Sequence, residues 1–173
     1  MVDLRKSLTR DVEIIRRYRP GDETSIAEIF SNAIHQIACE FYTPEQCLAW
    51  SPRSHNYEYW KHRCKEKRPF VTTVGRDLSG FLELDPDGYI DCAYVNPKYR
   101  RLGIMRRMAE HAISAGFETG LGRVYVDASL CAKPLFEKLG FTLFEKRLVK
   151  LGAQELQNFR MELLKSRSEI RYG

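Results

Sequence analysis

Tyr89-Ile90-Asp91-Cys92-Ala93-Tyr94-Val95-Asn96-Pro97-Lys98-Tyr99-Arg100-Arg101-Leu102-Gly103-Ile104-Met105 is the stretch whose reading decides the fold. Its first seven residues read as a strand. Asn96-Pro97 ends that strand, because proline has no N–H for a ladder and restrains the residue before it. Gly103 then opens a helix running to about Phe117, with Ile104, Met108, Ala112 and Ala115 on one stripe. A strand, a glycine-bearing loop and a helix N-terminus together make an anion site. The first helical N–H groups lack intrahelical acceptors, and the helix dipole favours negative charge there. Gly103 lets another group approach the backbone closely. Arg100, Arg101, Arg106 and Arg107 crowd this segment with no acid among them. Spacing alone leaves an equal alternative, in which the arginines only solvate a helix face.

Working upstream, Phe81 to Leu84 and Phe70 to Val74 read as two more strands. The turns at Asp85-Pro86-Asp87-Gly88 and at 75–78 join the three into an antiparallel meander. Residues 56–67 read as a helix with a charged outer face. Thr43-Pro44-Glu45-Gln46 starts a shorter one, with Thr43 as N-cap and Gln46 closing a capping box. Ile26, Ile29, Phe30, Ala33, Ile34 and Ile37 form a helical stripe, capped by Asp22 or Ser25, with Ser25 and Glu28 fitting a capping box. Residues 12–18 read as a first strand. Downstream, 124–127, 141–149 and 158–164 read as strands, and 134–139 as a short helix closed by Gly140. The order β, α, α, α, β, β, β, α, β, α, β, β describes one mixed α/β domain over residues 1–173.

Composition narrows the function classes. The chain has 173 residues, 43% of them hydrophobic, enough for a real core and too many for a disordered chain. No run of about 18 apolar residues occurs, so no membrane partner or span is expected. The opening MVDLRKSLTRD lacks the apolar stretch of an export signal, so the expected compartment is the cytoplasm. The balance of 28 basic and 23 acidic residues gives +5, which suits an anionic partner without choosing one. Cys39, Cys47, Cys64, Cys92 and Cys131 contain no C-x-x-C, and the four histidines have no ligand spacing. Free thiols and no metal are expected. Neither G-x-x-x-x-G-K nor G-x-G-x-x-G occurs, against a nucleotide loop, and no G-x-S-x-G points to a hydrolase.

The segment from Tyr94 to Ile104 resembles motif A of the acetyl-CoA-dependent N-acetyltransferase superfamily (GNAT), in which an apolar strand is followed by [Q/R]-x-x-G-x-[G/A]. Arg100 and Gly103 match, and Met105 departs. The stretch from Val126 to Phe141 resembles the family's second signature, ending Phe136-Glu137-Lys138-Leu139-Gly140-Phe141. Ile15 to Asp22 is similar to the usual first strand and helix start. The resemblance covers nearly the whole chain. It implies a central, mostly antiparallel mixed sheet of about seven strands flanked by helices. It also implies acetyl transfer from acetyl-CoA to a primary amine of a small molecule or protein.

The same resemblance implies site residues. The amides of Arg101, Leu102, Gly103, Ile104, Met105 and Arg106 would hold the CoA pyrophosphate, with the Arg100 side chain as a further contact. Ala93, Tyr94 and Val95 would pair with the pantetheine arm, and an N–H there would polarise the thioester carbonyl. Met105 would either crowd the phosphates or turn into the core. Ser129 stands where the family often has an Asn on CoA. Phe136 stands where many members have a tyrosine that protonates the departing thiolate, so water, an unprotonated leaving group or Tyr94 must serve instead. His35, Tyr42 and Trp50 are candidate walls of the acceptor pocket.

Acetyl transfer needs a neutral amine, and an alkylammonium with a pKa of about 10.4 must first lose a proton. Asp91 is the first candidate base, on the reading that it shares a strand face with Tyr89 and Ala93; Glu83 on the neighbouring strand is the second. Two other readings compete. One is a catalytically weak module that senses CoA or acyl-CoA. The other is a nucleic-acid-binding domain, against which the aromatic residues form no stacking series, so no nucleic-acid partner is expected. A monomer or homodimer fits the sequence equally.

Overall fold

The computed structural model describes residues 13–166. Its elements are β1 (Glu13–Arg17), α1 (Glu23–Gln36), α2 (Pro44–Trp50), α3 (Tyr57–Lys67), β2 (Phe70–Val74), β3 (Asp77–Leu84), β4 (Tyr89–Val95), α4 (Ile104–Glu118), β5 (Arg123–Ser129), α5 (Lys133–Lys138), β6 (Thr142–Leu151) and β7 (Gln154–Leu164). Single 3₁₀ turns lie at Ala38–Glu40 and Pro97–Tyr99. The seven strands form one sheet in the order β1-β2-β3-β4-β5-β7-β6. Every neighbouring pair is antiparallel except β4 with β5. This is the mostly antiparallel, seven-stranded mixed sheet that the sequence predicts.

One face of the sheet carries α4. Its apolar stripe, Ile104, Met108, Ala109, Ala112, Ile113 and Gly116, is buried. Met108 and Ala112 pack with Leu82, Ile90, Val126, Phe136 and Met161. Burying one such Met or Leu side chain contributes about 1.5–3 kcal/mol. On the opposite face Ile26, Ala27 and Ile29 of α1 and Trp60 and Cys64 of α3 cover Val71, Phe81 and Cys92. A third cluster joins Ile34 and Ala38 to Tyr42, Cys47 and Leu156, and so seats α2 on β7.

Local signals explain most boundaries. Thr43 Oγ1 accepts from the Gln46 amide at 3.2 Å, and Gln46 Oε1 accepts from the Thr43 amide at 2.9 Å, the expected reciprocal cap. Asp22, one of the two expected residues, stands at the N-cap of α1 but makes no side-chain cap bond, and Ser25 lies inside the helix. Arg16 binds the Asp22 carboxylate instead, at 2.6 and 2.9 Å, because a guanidinium facing it across the β1–α1 turn offers two charge-assisted bonds. β3 starts at Asp77 rather than Phe81, and β7 at Gln154 rather than Asn158. The second difference comes from a tight hairpin turn at Gly152-Ala153, which lets β6 and β7 pair along their length. The predicted first strand includes Val12, which lies outside the described residues. Cys39 and Cys47 are bonded to each other, against the expectation of free thiols, and tie the turn after α1 to α2; Cys64, Cys92 and Cys131 are free. Among the described residues no helix is long and apolar enough to cross a membrane.

Candidate active site

The site begins where the sheet comes apart. β4 and β5 pair in parallel only at Tyr89 with Tyr125 and at Ile90 with Val126. Beyond these rungs the strands diverge, and a cleft of about 510 Å³ opens between them. Its floor is Ile90 to Val95 of β4 and Val126 to Ser129 of β5. The edge of β4 that faces β5 therefore keeps unpaired backbone groups from Asp91 to Val95, available to an extended ligand.

The end of α4 completes one lip. Gly103 is its N-cap, with φ +77°. A Cβ there would lie 2.8 Å from Arg107 Nη1. Arg101 also sits in the left-handed region, at φ +63°, which is uncommon for a side-chain-bearing residue and marks a loop held in a special shape. The amides of Ile104, Met105 and Arg106 have no intrahelical acceptor, since the first α-type bond on this turn runs from the Arg107 amide to the Gly103 carbonyl at 3.1 Å. These donors and the dipole of a 15-residue helix face the cleft.

Most of the residues singled out in the sequence converge here. Ala93, Tyr94, Val95, Arg100, Arg101, Gly103, Ile104, Met105, Arg106, Ser129, Phe136 and Asp91 all line the cleft. Met105 packs against the α4-side core, so its bulk is turned inward. Phe136 is 1% exposed and meets Phe141 at 5.1 Å between ring centroids. Ser129 Oγ lies 3.1 Å from Cys131 Sγ. Two of the residues stand outside the cleft. Leu102 packs with Val74, Tyr99 and Ile104. Glu83 is wholly buried.

The reason for Glu83's position is a β-bulge. Leu82 pairs with Ala93 and Leu84 with Ile90, so two residues, Asp91 and Cys92, oppose the single residue Glu83. The expected alternation therefore fails: Asp91 shares a face with Cys92 and Glu83, not with Ala93. On that face Arg63 of α3 reaches all three. Its Nε and Nη2 bind Glu83 at 3.0 and 2.5 Å, and Nη2 binds Asp91 Oδ2 at 2.6 Å and lies 3.6 Å from Cys92 Sγ. Lys67 Nζ approaches the same Asp91 oxygen at 3.2 Å. Burial pushes the Glu83 carboxyl up, against the opposing pull of Arg63. Burial also works against the Arg63 charge, but the hydrogen bond to Glu83 and the surrounding acids hold it firmly protonated. The ligand atoms of Glu83, Asp91 and Cys92 lie within 4.8 Å of one another, a grouping that could hold a metal ion, yet the Arg63 guanidinium already reaches all three.

The second lip was less visible in the sequence. Ala33 of α1, its C-cap Ile37, Ala38, Phe41 and Trp50 form an apolar wall beside Tyr94. Trp50 was anticipated, but Tyr42 and His35 are anchors instead. Tyr42 is 6% exposed, donates to the Gln157 carbonyl at 2.7 Å and accepts from the Leu130 amide at 2.9 Å. His35 Nε2 lies 2.8 Å from the Ser51 carbonyl. The i, i+4 spacing of Ala33 and Ile37 in the α1 stripe was the one available signal for this wall. Across the mouth, Arg100 grips Glu40 at 2.8 and 3.2 Å, which lowers the Glu40 carboxyl and raises the guanidinium. On β5, Asp127 accepts from Arg147 at 2.9 Å and from Arg160 at 2.5 and 2.8 Å. Burial would raise Asp127, but these guanidinium contacts hold it below the usual carboxylate range.

A parted strand pair beside a helix N-terminus with free amides suits an extended ligand that carries negative charge. Residues 39–163 match the acetyltransferase (GNAT) domain family. The chain is 31% identical over 147 residues to the uncharacterized N-acetyltransferase YafP of Escherichia coli K12, spanning 85% of this chain and 93% of that protein. A GCN5-related N-acetyltransferase from Rhodopseudomonas palustris superposes with a TM-score of 0.83 at 26% identity, covering 89% of this chain and 96% of that one. A putative acetyltransferase of Salmonella typhimurium, yncA, solved with its cofactor acetyl-CoA, superposes with a TM-score of 0.71 at 17% identity, covering 90% and 95%. The chain belongs to the GNAT acetyltransferase family. It is an acyltransferase of the N-acetyltransferase class.

Proposed function

We propose that the cleft binds acetyl-CoA and that an amine attacks its thioester directly, within a ternary complex. The observation that carries this reading is the divergence of β4 from β5 immediately beside the N-terminus of α4. The amides of Arg101 and of Gly103 to Arg106 take the pyrophosphate, and Arg106 and Arg101 add positive charge at the same lip. Ser129 and the buried Phe136 contact the CoA arm from the β5–α5 side. The free backbone edge of Ala93, Tyr94 and Val95 pairs with the amides of pantetheine, as a missing strand would. One N–H of that edge polarises the thioester carbonyl, where negative charge develops in the transition state. Positioning then supplies much of the acceleration, and no covalent enzyme intermediate or metal is required.

The proton balance assigns further roles. Phe136 has no proton to give. Tyr94 lines the cleft, and burial pushes its phenol well up, so it remains protonated at neutral pH. In this reading its hydroxyl, or water, protonates the departing thiolate. Asp91 and Glu83, held on Arg63, support β4 rather than act as bases. A monomer or a homodimer fits this reading, and a cytoplasmic setting supplies the CoA pool.

Thermal denaturation with acetyl-CoA, CoA and a short DNA duplex tests the reading. A ligand at about 100 times its Kd stabilises by roughly 2.7 kcal/mol, so both CoA species should raise Tm and the duplex should not. Gly103→Val places a β-branched residue at positive φ and against Arg107; it should weaken acetyl-CoA binding at least about tenfold in calorimetric titration. Equal affinity in wild type and variant would remove the phosphate site from this loop. Binding without thiol release across an amine panel would favour a sensor.

A further inference from the structure

The acceptor side of the cleft has two properties that belong together. The first is its wall. Ala33, Ile37, Ala38, Phe41, Trp50 and Tyr94 present carbon, not charge. Phe41 is 52% exposed at the mouth, where a large apolar side chain stands half open to solvent. Trp50 and Tyr94 stand edge to face with centroids 6.4 Å apart, and Tyr94 is fixed from behind by Phe30 at 5.0 Å and Phe81 at 5.7 Å. Ala33 and Ala38 leave room between the rings. Such a surface takes a flat apolar body.

The second property concerns charge. Three carboxylates line the cleft among the described residues, and each has a cationic partner: Glu40 with Arg100, Asp91 with Arg63 and Lys67, Asp127 with Arg147 and Arg160. No histidine lines it. A polyamine, an aminoglycoside or a basic peptide would bring ammonium groups that need uncommitted carboxylates. An alkylammonium acceptor would also need a base to remove its proton, at a pKa of about 10.4. An amine on an aromatic ring needs neither. Its lone pair is shared with the ring, so it is a weak base that reaches the site neutral.

Resting on the reading of the cleft as an acetyl-CoA site, we infer that the acceptor is a weakly basic aromatic amine whose ring lies against Phe41, Trp50 and Tyr94. The nitrogen lone pair attacks the thioester carbon. The C–N bond forms as the C–S bond breaks. The proton lost by nitrogen is the proton gained by sulfur, through Tyr94 or water. The products are an N-aryl acetamide and the free CoA thiol, and nothing is oxidised or reduced.

Thiol release from acetyl-CoA is measured with para-toluidine, spermidine and a lysine-containing peptide. The expected kcat/KM for para-toluidine exceeds both others by at least about tenfold. It should also stay flat from about pH 6.5 to 9, because no proton has to be removed before attack. Phe41→Asp, an exposed change, should lower the para-toluidine value and raise that of spermidine while the Tm shift with CoA persists. Equal or better use of spermidine or the peptide overturns the inference, as does an unchanged preference in Phe41→Asp. In those cases a Tm shift with acetyl-CoA leaves the cofactor reading standing. Loss of that shift in the wild type overturns both.

Discussion

Arg63 holds Glu83 and Asp91 together at 2.5 and 2.6 Å, and its removal would leave a fully buried carboxylate with no cation. Breaking such a pair from one side costs about 3–5 kcal/mol, whereas replacing both partners by apolar groups of similar size is often close to neutral. Arg63→Met should therefore lower the unfolding free energy by about 3–5 kcal/mol in urea titrations, and Arg63→Met with Glu83→Leu should recover much of it. Equal destabilisation in the single and double variants would show that Arg63 acts through packing on Trp60 instead. The sequence could not reveal this hub. Its members are 20 and 28 positions apart, and a bulge puts Asp91 on a face that alternation assigns to its neighbour. The residues that were legible, Gly103 and Arg100, announce themselves through local rules of backbone and charge.

At the scale of elements, β5, β6 and β7 are cross-linked by charge as well as by their ladders. Asp127 on β5 binds Arg160 on β7 and Arg147 on β6. Its folded pKa is depressed, so its contribution is present above the unfolded value of about 3.9 and is lost as pH falls through the folded value. Asp127→Asn should cost about 1.5–3 kcal/mol at pH 7 and should flatten the decline in stability between about pH 5 and pH 2, measured by denaturant melts at each pH. A variant that keeps the wild-type acid slope would remove Asp127 as its source. Elements with their own punctuation are the legible ones: α2 shows its capping box in the sequence, and α3 starts one residue after the expected Asn56, which accepts from the Tyr59 amide. The start of β7 is hidden in the sequence because Gly152-Ala153 is a compact turn and the residues after it, Gln154, Glu155 and Gln157, carry little strand signal. Asp22 caps α1 by position, but its carboxylate is taken by Arg16 on the neighbouring strand, which no local rule announces.

Across the whole molecule, two antiparallel half-sheets meet at one narrow joint. Two rungs of β4 and β5 hold it, with a bond from the Tyr125 amide to the Gly88 carbonyl at 2.9 Å. Gly88 has φ +91°, and a Cβ there would come within 2.3 Å of the Arg123 carbonyl oxygen. Gly88→Ala should thus cost well over about 1 kcal/mol, and it should reduce acetyl-CoA binding as the mouth of the cleft shifts. A variant with wild-type Tm and affinity would show that the joint tolerates displacement. The order of elements along the chain was legible from local signals, and the place of the opening through the family resemblance, because both signatures sit at strand-to-helix transitions. The acceptor wall was not, since it assembles from α1, the turn after it and α2, and is apolar like any core.

The bulge at Asp91 and Cys92 has a consequence for the length of the chain. Downstream of the extra residue, Ala93 turns toward α4 and Tyr94 toward α1. Removing the extra residue itself would restore simple alternation and leave Ala93 and Tyr94 on their present layers, while taking one ligand from Arg63. A one-residue deletion or insertion after the bulge would instead rotate each following side chain to the opposite layer and part Tyr94 from Phe30 and Phe81. Relatives can vary letters in this strand with some freedom, but a change of one position in its length downstream of the bulge should be tolerated far less than most substitutions.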